Sequence, residues 1–209
     1  MGRLPRSGSL GLLESTSIAA GVRAADEVLK TAPVTLLTAA PVSPGKFLVV
    51  FAGGVAEVEA SLAAGRERLH GHLVDELLLA RVHEQVAPAI ARTAPRTAPV
   101  PGEAIGIVET LSVASAILGA DAAAKAARVL LREIAPGRGI GGKGFFTMTG
   151  DVGAVEAAAQ AAAEPMARRG YHLRTEVLAG PHAEIARRVA AGLLESFDLS
   201  TGDDEGDAE

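Results

Sequence analysis

LGLLESTSIAAGVRAADEVLKTAPVTLLTAAP, residues 10–41, is the stretch that decides the fold, because the chain repeats it. It aligns without a gap with IGIVETLSVASAILGADAAAKAARVLLREIAP, residues 105–136, and 12 of the 32 positions are identical. After a two-residue insertion in the second copy, the match continues as far as His83 and His182. A unit of roughly 90 residues is too long for a solenoid repeat and long enough for a small domain. The sequence therefore predicts a tandem duplication of one domain.

Each copy shows the same order of predicted elements. An apolar strand that carries a glutamate is followed by an Ala-rich helix, for which Ser17 and Ser112 are the candidate caps. Two further strands, a second helix and a fourth strand complete the unit, and a final helix follows His83 and His182. The order β-α-β-β-α-β is that of the split βαβ arrangement. We therefore expect an α+β protein with two tandem ferredoxin-like domains in unpermuted order.

Changes in composition set the expected domain boundaries. The first domain covers residues 9–91, and residues 92–103 form a Pro-rich linker that should be stiff and extended. The second domain covers residues 104–195. Residues 196–209 are strongly acidic at their end and are expected to be a disordered tail.

The composition of the 209 residues limits the functions that the chain can have. The net charge is −5, so the chain lacks the basic surface that nucleic-acid binding requires. The absence of cysteine excludes disulfides, thiolate nucleophiles and clusters held by cysteine. No apolar run approaches the roughly 18 residues of a membrane span, and the amino terminus does not resemble a signal peptide. We expect a cytoplasmic protein without a nucleic-acid partner, a membrane partner, a metal or another cofactor.

One glycine-rich segment has part of the sequence pattern of a phosphate-binding loop. Residues 137–143, GRGIGGK, match the G-x₄-G-K part of a P-loop, whose backbone N–H groups cradle phosphates at the start of a helix. Here Gly144 and an apolar strand follow, and the Ser or Thr that would hold magnesium is absent. The segment is therefore interpreted as a tight loop between two strands.

An Asp–Lys pair and a glutamate recur at the same place in each copy. Asp26 with Lys30 and Asp121 with Lys125 have the i,i+4 spacing of a solvated helical ion pair. Their recurrence raises the alternative that the lysine acts at a surface. Glu14 and Glu109 lie on apolar strands without a partnered base or nucleophile, so we interpret them as buried or interfacial hydrogen-bonding groups. No catalytic constellation is apparent, and we expect that the chain is not an enzyme.

The strings AIGIVET, ADAAAKAA, GIGGKGFFTMTGDVGAVEAA and GPHAEI resemble the bacterial microcompartment shell domain, and the first copy carries the same marks in weaker form. Two unpermuted copies resemble the tandem class that forms trimers, especially its propanediol-utilisation T type. The resemblance implies a structural shell protein whose trimers are pseudohexameric tiles with a central pore for small metabolites. It implies as partners further copies of the chain, other shell proteins at the tile edges and possible encapsulated cargo. It places the protein in the bacterial cytoplasm, within the shell.

The resemblance also assigns roles to individual residues. Lys30 and Lys125, with Asp26 and Asp121 before them, match the family's tile-edge contacts. The family's second edge residue is an arginine that Arg81 matches and that Gly180 replaces in the second copy. The loops between the second and third strands match the family's pore loops, which here consist of Ser43, Pro44, Gly45 and Lys46 and of Arg138, Gly139, Ile140, Gly141, Gly142 and Lys143.

Ser43 departs from the T type, in which a cysteine at this position holds an iron–sulfur cluster. With serine there and no cysteine in the chain, the sequence predicts a polar pore without a cofactor. An alternative from another class is a small-ligand-binding regulatory protein, because tandem ferredoxin-like domains also serve as metabolite sensors. That alternative requires a ligand cleft between the two copies.

Overall fold

Two four-stranded antiparallel sheets, each with two long helices, form the β-α-β-β-α-β units that the sequence predicts. The structure is a computed structural model that describes residues 8–94, 102–135 and 139–193. The expectations for Arg138, for most of the linker and for the acidic tail fall outside the described residues.

The first unit, called here the first domain, has sheet order β2-β3-β1-β4. Its elements are β1 (Gly8–Ser15), α1 (Ile18–Thr31), β2 (Thr35–Val42), β3 (Lys46–Gly53), α2 (Val55–Arg68), β4 (Leu73–Val82) and the short α3 (Val86–Ile90). The second domain has the matching order β6-β7-β5-β8. Its elements are β5 (Ala104–Thr110), α4 (Val113–Ala126), β6 (Leu130–Ala135), β7 (Gly144–Gly150), α5 (Val152–Arg168), β8 (His172–Leu178) and α6 (Ala183–Ala191).

The two predicted helix caps are confirmed. The Ser17 side chain accepts a hydrogen bond from the backbone N–H of Ala20 at 3.2 Å, and Ser112 accepts one from Ser115 at 3.1 Å. Each serine satisfies one of the N–H groups that the first turn of a helix leaves without a partner. The caps fix where α1 and α4 begin after the first strand of each domain.

The side chains of the first sheet alternate between two different environments. Leu13, Val49 and Phe51 face α1 and α2 and form one hydrophobic core with Val28 and Leu62 of those helices. The opposite face, called here the sheet face, carries neither of the two long helices of its own domain. In the first domain it presents a set of buried leucines and valines that belong to a second cluster: Leu10, Leu12, Leu48, Val50, Leu77 and Leu79.

That second cluster joins the two domains. It contains the sheet face of the first domain together with Val113 and Ile117 of α4, and it continues into the core of the second domain. Val86 and Ile90 of α3 are part of the same cluster, and α3 packs against β6. The domains are therefore fixed to one another by a continuous apolar contact.

Candidate assembly surfaces and pore loops

The contact between the two domains, called here the intrachain seam, has one surface from each domain. The first domain contributes its sheet face with β4 and α3. The second domain contributes α4 and the outer edge of β6, a surface called here the helix face. Since the two surfaces differ, the seam is a head-to-tail contact.

Polar contacts at the margins of the seam define its geometry. The backbone N–H of His83 donates to Asp121 Oδ1 at 2.8 Å, and Lys125 Nζ donates to Asp121 Oδ2 at 2.5 Å. At the opposite end of β4, Arg169 donates to Asp75 at 2.5 Å. The bonds from His83 and from Arg169 join the two domains at either end of the apolar contact, whereas the Lys125–Asp121 bond lies within α4.

Gln85 adds a paired contact to the edge of β6. Its side-chain Nε2 donates to the carbonyl of Val129 at 2.9 Å, and its Oε1 accepts from the N–H of Leu131 at 2.8 Å. The amide thus continues the hydrogen bonding of the sheet edge from the neighbouring domain. It uses both the NH₂ donor and the carbonyl acceptor of the amide side chain.

A buried cation lies beside the seam on β6. Arg132 Nε donates to Thr149 Oγ1 at 2.9 Å, and the guanidinium lies 4.0 Å from Glu103 Oε2. Burial lowers the pKa of Arg132, and the charge of Glu103 acts in the opposite direction. Arginine nevertheless remains protonated at neutral pH, so this is a fixed charge that holds the chain entering β5.

The helix face of the first domain is the uncovered counterpart of the buried helix face. Val22 on α1 is 53% exposed, whereas its counterpart on α4, Ile117, is 1% exposed. Ile18 and Leu29 are likewise exposed, and their counterparts Val113 and Ala124 are buried. The first domain therefore presents an apolar stripe of the same kind that the second domain buries in the seam.

The sheet face of the second domain is open in part, although Ile105 and Thr147 on it are buried. Ile185, which follows His182 as Val86 follows His83, is 44% exposed, whereas Val86 is fully buried. Leu178 is exposed, and its counterpart Leu79 is buried. An open groove on this face is lined by Ile107, Glu109, Ile140, Lys143, Phe145 and Leu193. Each chain thus has one helix face and one sheet face without a covering partner in the described residues.

The glutamates of strands β1 and β5 differ in exposure, because the intrachain seam buries one of them and not the other. Lys46 Nζ donates to Glu14 Oε1 at 2.8 Å, and the Glu14 side chain is 1% exposed in the intrachain seam. The counterparts Lys143 and Glu109 are 3.7 Å apart, and the Glu109 side chain is 43% exposed. The prediction of a buried or interfacial glutamate is confirmed for Glu14, while Glu109 lies in the open groove.

The two predicted pore loops lie against each other within one chain. The hydroxyl of Ser43 accepts a hydrogen bond from the N–H of Gly139 at 3.1 Å. Gly142 is buried, and a β-carbon built on it would lie 3.1 Å from the carbonyl oxygen of Ser43 and 3.2 Å from the ring of Pro44. Its φ of +82° also favours glycine, so the contact between the loops requires this residue.

The remaining pore-loop candidates have different exposures. Pro44, Gly45, Gly139 and Gly141 are exposed at the tips of the loops, and Ile140 is half-buried. Lys46 and Lys143 are paired with the strand glutamates, so their ammonium groups are already engaged. Gly144 begins β7 directly after the second loop, so no helix follows the P-loop-like segment.

The candidate tile-edge residues do not share one environment. Asp26 and Lys30 form an exposed ion pair at 2.5 Å, as the sequence predicts for a solvated helical pair. Asp121 is instead buried in the intrachain seam, because the first domain covers α4 there, while Lys125 remains 43% exposed. Arg81 and Gly180 are both exposed, and Arg81 has a φ of +53°.

Sequence reasoning missed the residues that hold the seam together. Gln85, Asp75 and Arg169 carry no motif and no diagnostic spacing, since their partners lie 44 to 94 positions away in the chain. The one available signal was their change of identity between the copies, where Gln85 is replaced by Glu184 and Asp75 by Arg174.

Two structural features bear on other kinds of function. Within residues 8–94, 102–135 and 139–193, no group of three or more His, Cys, Asp or Glu side chains is placed to hold a metal ion. In the same residues, no helix is both long and apolar enough to cross a membrane.

Comparison with known proteins gives consistent results across the chain. The BMC domain family model matches twice, at residues 9–82 and 104–181. The bacterial microcompartment shell protein PduT of Citrobacter freundii is 39% identical over 186 residues, which cover 89% of this chain and all of that protein. The carboxysome shell protein CcmK1 of Synechocystis is 34% identical over 82 residues, or 37% of this chain and 74% of that protein.

Solved structures show the same likeness in three dimensions. A microcompartment protein from Desulfitobacterium hafniense superposes with a TM-score of 0.82 and 44% identity, covering 86% of this chain and 98% of that one. A fused permuted hexameric shell protein superposes with a TM-score of 0.58 at 23% identity, covering 80% of this chain and 85% of that one, which shows a shared fold. With two matched copies that span most of its length, the chain belongs to the BMC domain family of microcompartment shell proteins.

Proposed function

We propose that this chain is a structural shell protein whose copies close head to tail into a three-chain ring, the tile of a microcompartment facet in the bacterial cytoplasm. In this ring, the open sheet face of each second domain covers the open helix face of the next chain's first domain. The observation that carries the proposal is the matched exposure of these two surfaces, each the counterpart of a surface that the intrachain seam already buries.

Head-to-tail contacts either close into rings or continue as filaments. The present contact would repeat the seam that joins the two domains, so successive domains would be related by nearly the same rotation. The family resemblance supplies the closure number of six domains, which is three chains. Covering the exposed side chains of α1 supplies the driving force, since a fully buried Val, Leu or Ile contributes about 1.5–3 kcal/mol relative to an exposed one.

The pore loops support a central pore in this ring. Each chain brings its Ser43 loop against its Gly139–Lys143 loop, so three chains would alternate the two loops around the axis. The Ser43 hydroxyl accepts a bond from Gly139 and retains its own proton to donate. We therefore propose a polar, hydroxyl-lined passage for small metabolites.

A ligand sensor is the less supported reading. It requires a cleft between the two copies, and the described parts of the two domains instead meet in a packed apolar cluster. The relatives are shell proteins, which also favours the structural role.

Replacement of Val22 by Asp tests the ring. The variant places a charge on the apolar stripe of α1, and we expect it to be monomeric by light scattering where the unmodified chain has a mass of about 64 kDa, three times 21.2 kDa. Leu111→Asp is the matched control, because Leu111 is 49% exposed and its counterpart Thr16 is also exposed, so neither seam covers this position. A trimeric Val22→Asp variant would overturn the proposed pairing of faces.

The tile edges require a separate test. We propose that Lys30 and Lys125, with Arg81, contact neighbouring shell proteins, and both lysines retain exposed side chains. Lys30→Ala combined with Lys125→Ala should leave the ring intact by light scattering and abolish extended sheets in electron micrographs. Sheets that persist in the double variant would contradict the edge role, and a dissociated ring would place the lysines in the seam instead.

A further inference from the structure

Gln85 contributes to the intrachain seam in a way that its counterpart cannot repeat. The amide donates to Val129 and accepts from Leu131, so both polar groups of one side chain are satisfied on the edge of β6. We call this pair of bonds the clasp. Since β6 is the edge strand of its sheet, the clasp occupies backbone groups that the sheet leaves free.

The structure identifies Glu184 as the counterpart of Gln85. The backbone N–H of Gln85 donates to His83 Nδ1 at 3.4 Å, and that of Glu184 donates to His182 Nδ1 at 3.3 Å. Both residues therefore stand two positions after a histidine that accepts their N–H at the start of a short helix.

The edge of β2 matches the edge of β6 equally well. Val34 N–H donates to the carbonyl of Ala32 at 2.8 Å, and Val129 N–H donates to that of Ala127 at 2.9 Å. Both strands pair with their neighbour through a register shift two residues further on. In the proposed ring, Glu184 of one chain would thus face the carbonyl of Val34 and the N–H of Leu36 in the next.

A carboxylate can form only half of this clasp. It accepts from an N–H, but it has no proton to offer to the carbonyl of Val34, so two oxygens would oppose each other. Glu184 is held on its own helix by Arg187 at 2.6 Å and by Arg188 at 3.2 Å, contacts that the Gln85 site lacks because Pro88 and Ala89 occupy the nearby positions of α3. These arginines compete with the helix face of the next chain for the carboxylate.

The Asp75–Arg169 ion pair at the other end of the seam is also absent at the corresponding place between chains. Asp75 and Arg174 occupy matching positions opposite Glu14 and Glu109, and Arg169 and His70 each precede a glycine of positive φ. The Asp75–Arg169 pair of the intrachain seam would therefore be replaced by Arg174 facing His70, and Arg174 is already paired with Glu176 of its own strand at 2.5 Å. A second, independent contact is thus absent from the seam between chains.

We propose that Glu184 keeps the seam between chains weaker than the seam within the chain, so that each chain docks its own two domains first and the ring remains reversible. This rests on the proposed ring, and it assigns to Glu184 the role of setting the affinity between chains. Glu184→Gln restores the missing donor at the place where Gln85 has it.

A dilution series followed by mass photometry or sedimentation tests this role. Glu184→Gln should tighten the ring by about 5-fold per seam, the effect of one added hydrogen bond. Glu164→Gln is the matched control, because it removes the same charge from an exposed position on α5 outside both seams, and it should leave the affinity unchanged. Glu184→Ala lacks both hydrogen-bonding groups and should not tighten the ring.

The outcomes separate this inference from the ring itself. If the unmodified chain forms trimers and Glu184→Gln leaves their affinity unchanged or weaker, the role of Glu184 is overturned and the ring stands. Equal tightening by the Gln and Ala variants would also overturn the clasp, because removal of charge alone would then explain the gain. If the unmodified chain and Glu184→Gln are both monomeric at every concentration, the ring and the inference fail together.

Discussion

Asp26 and Asp121 occupy the same position of the repeat and form the same i,i+4 pair with a lysine, yet their surroundings differ. The side chain of Asp26 is 58% exposed, and that of Asp121 is 7% exposed and also accepts the N–H of His83. An exposed ion pair contributes little to stability, whereas a buried acceptor that loses its partners costs more. The same residue therefore has two energetic roles in one chain.

This difference predicts that substitution of each aspartate by alanine changes the free energy of unfolding by different amounts at the two sites. Asp121→Ala should lower the free energy of unfolding of the chain by about 1–3 kcal/mol, because it leaves the buried N–H of His83 without an acceptor. Asp26→Ala should change the unfolding of the dilute, monomeric chain by less than about 0.5 kcal/mol and should weaken the ring, where Asp26 would accept from His182 of the preceding chain. Urea unfolding and a dilution series measure the two effects. Equal losses of stability at both positions would contradict the assignment of Asp121 to a seam within the chain.

The polar residues that determine the seam could not be predicted from the sequence, whereas the caps of helices α1 and α4 could. Ser17 and Ser112 act on the next turn of chain, so local sequence carries the signal. Gln85 acts on Val129 and Leu131, and its function depends on how two domains are placed. The repeat predicts which positions of the two domains correspond, but it does not predict which of the two corresponding surfaces is buried by the other domain.

At the scale of elements, the apolar patterns predict strands and helices correctly because periodicity reflects local burial. The third strand, for example, is the apolar run KFLVVFAG of residues 46–53. The glutamates of β1 and β5 and the caps of α1 and α4 also lie where the pattern places them.

The helices α1 and α4 show what local pattern leaves open. Both begin at a serine cap and end after a lysine, but α4 has buried residues on several sides, whereas α1 buries only the side that faces its own sheet. The sequence contains part of this difference, since Arg23 and Glu27 of α1 stand where α4 has Leu118 and Ala122. The sequence alone does not show whether the apolar stripe of Ile18, Val22 and Leu29 is buried or exposed. Its exposure depends on which surface packs against it.

At the scale of the whole molecule, the duplication creates one satisfied seam and two complementary open surfaces. A single-domain ancestor would use one seam repeatedly, and fusion of two copies makes half of the seams intramolecular. The copies are then free to diverge, and Gln85 against Glu184 and Asp75 against Arg174 are differences of this kind. In the proposed ring, the chain would thus make a stable unit with one seam and a reversible assembly with the other.

A high-resolution structure of the assembled particle tests the central claim most directly. The account predicts three chains in a closed ring, with the N–H of His182 donating to Asp26 of the next chain at a distance near the 2.8 Å found between His83 and Asp121. It also predicts that Ile18 and Val22 of that next chain are buried against the sheet face of the second domain that carries this His182. A twofold dimer in which α1 packs against α1 of another copy, or a particle that leaves these side chains in solvent, would contradict it.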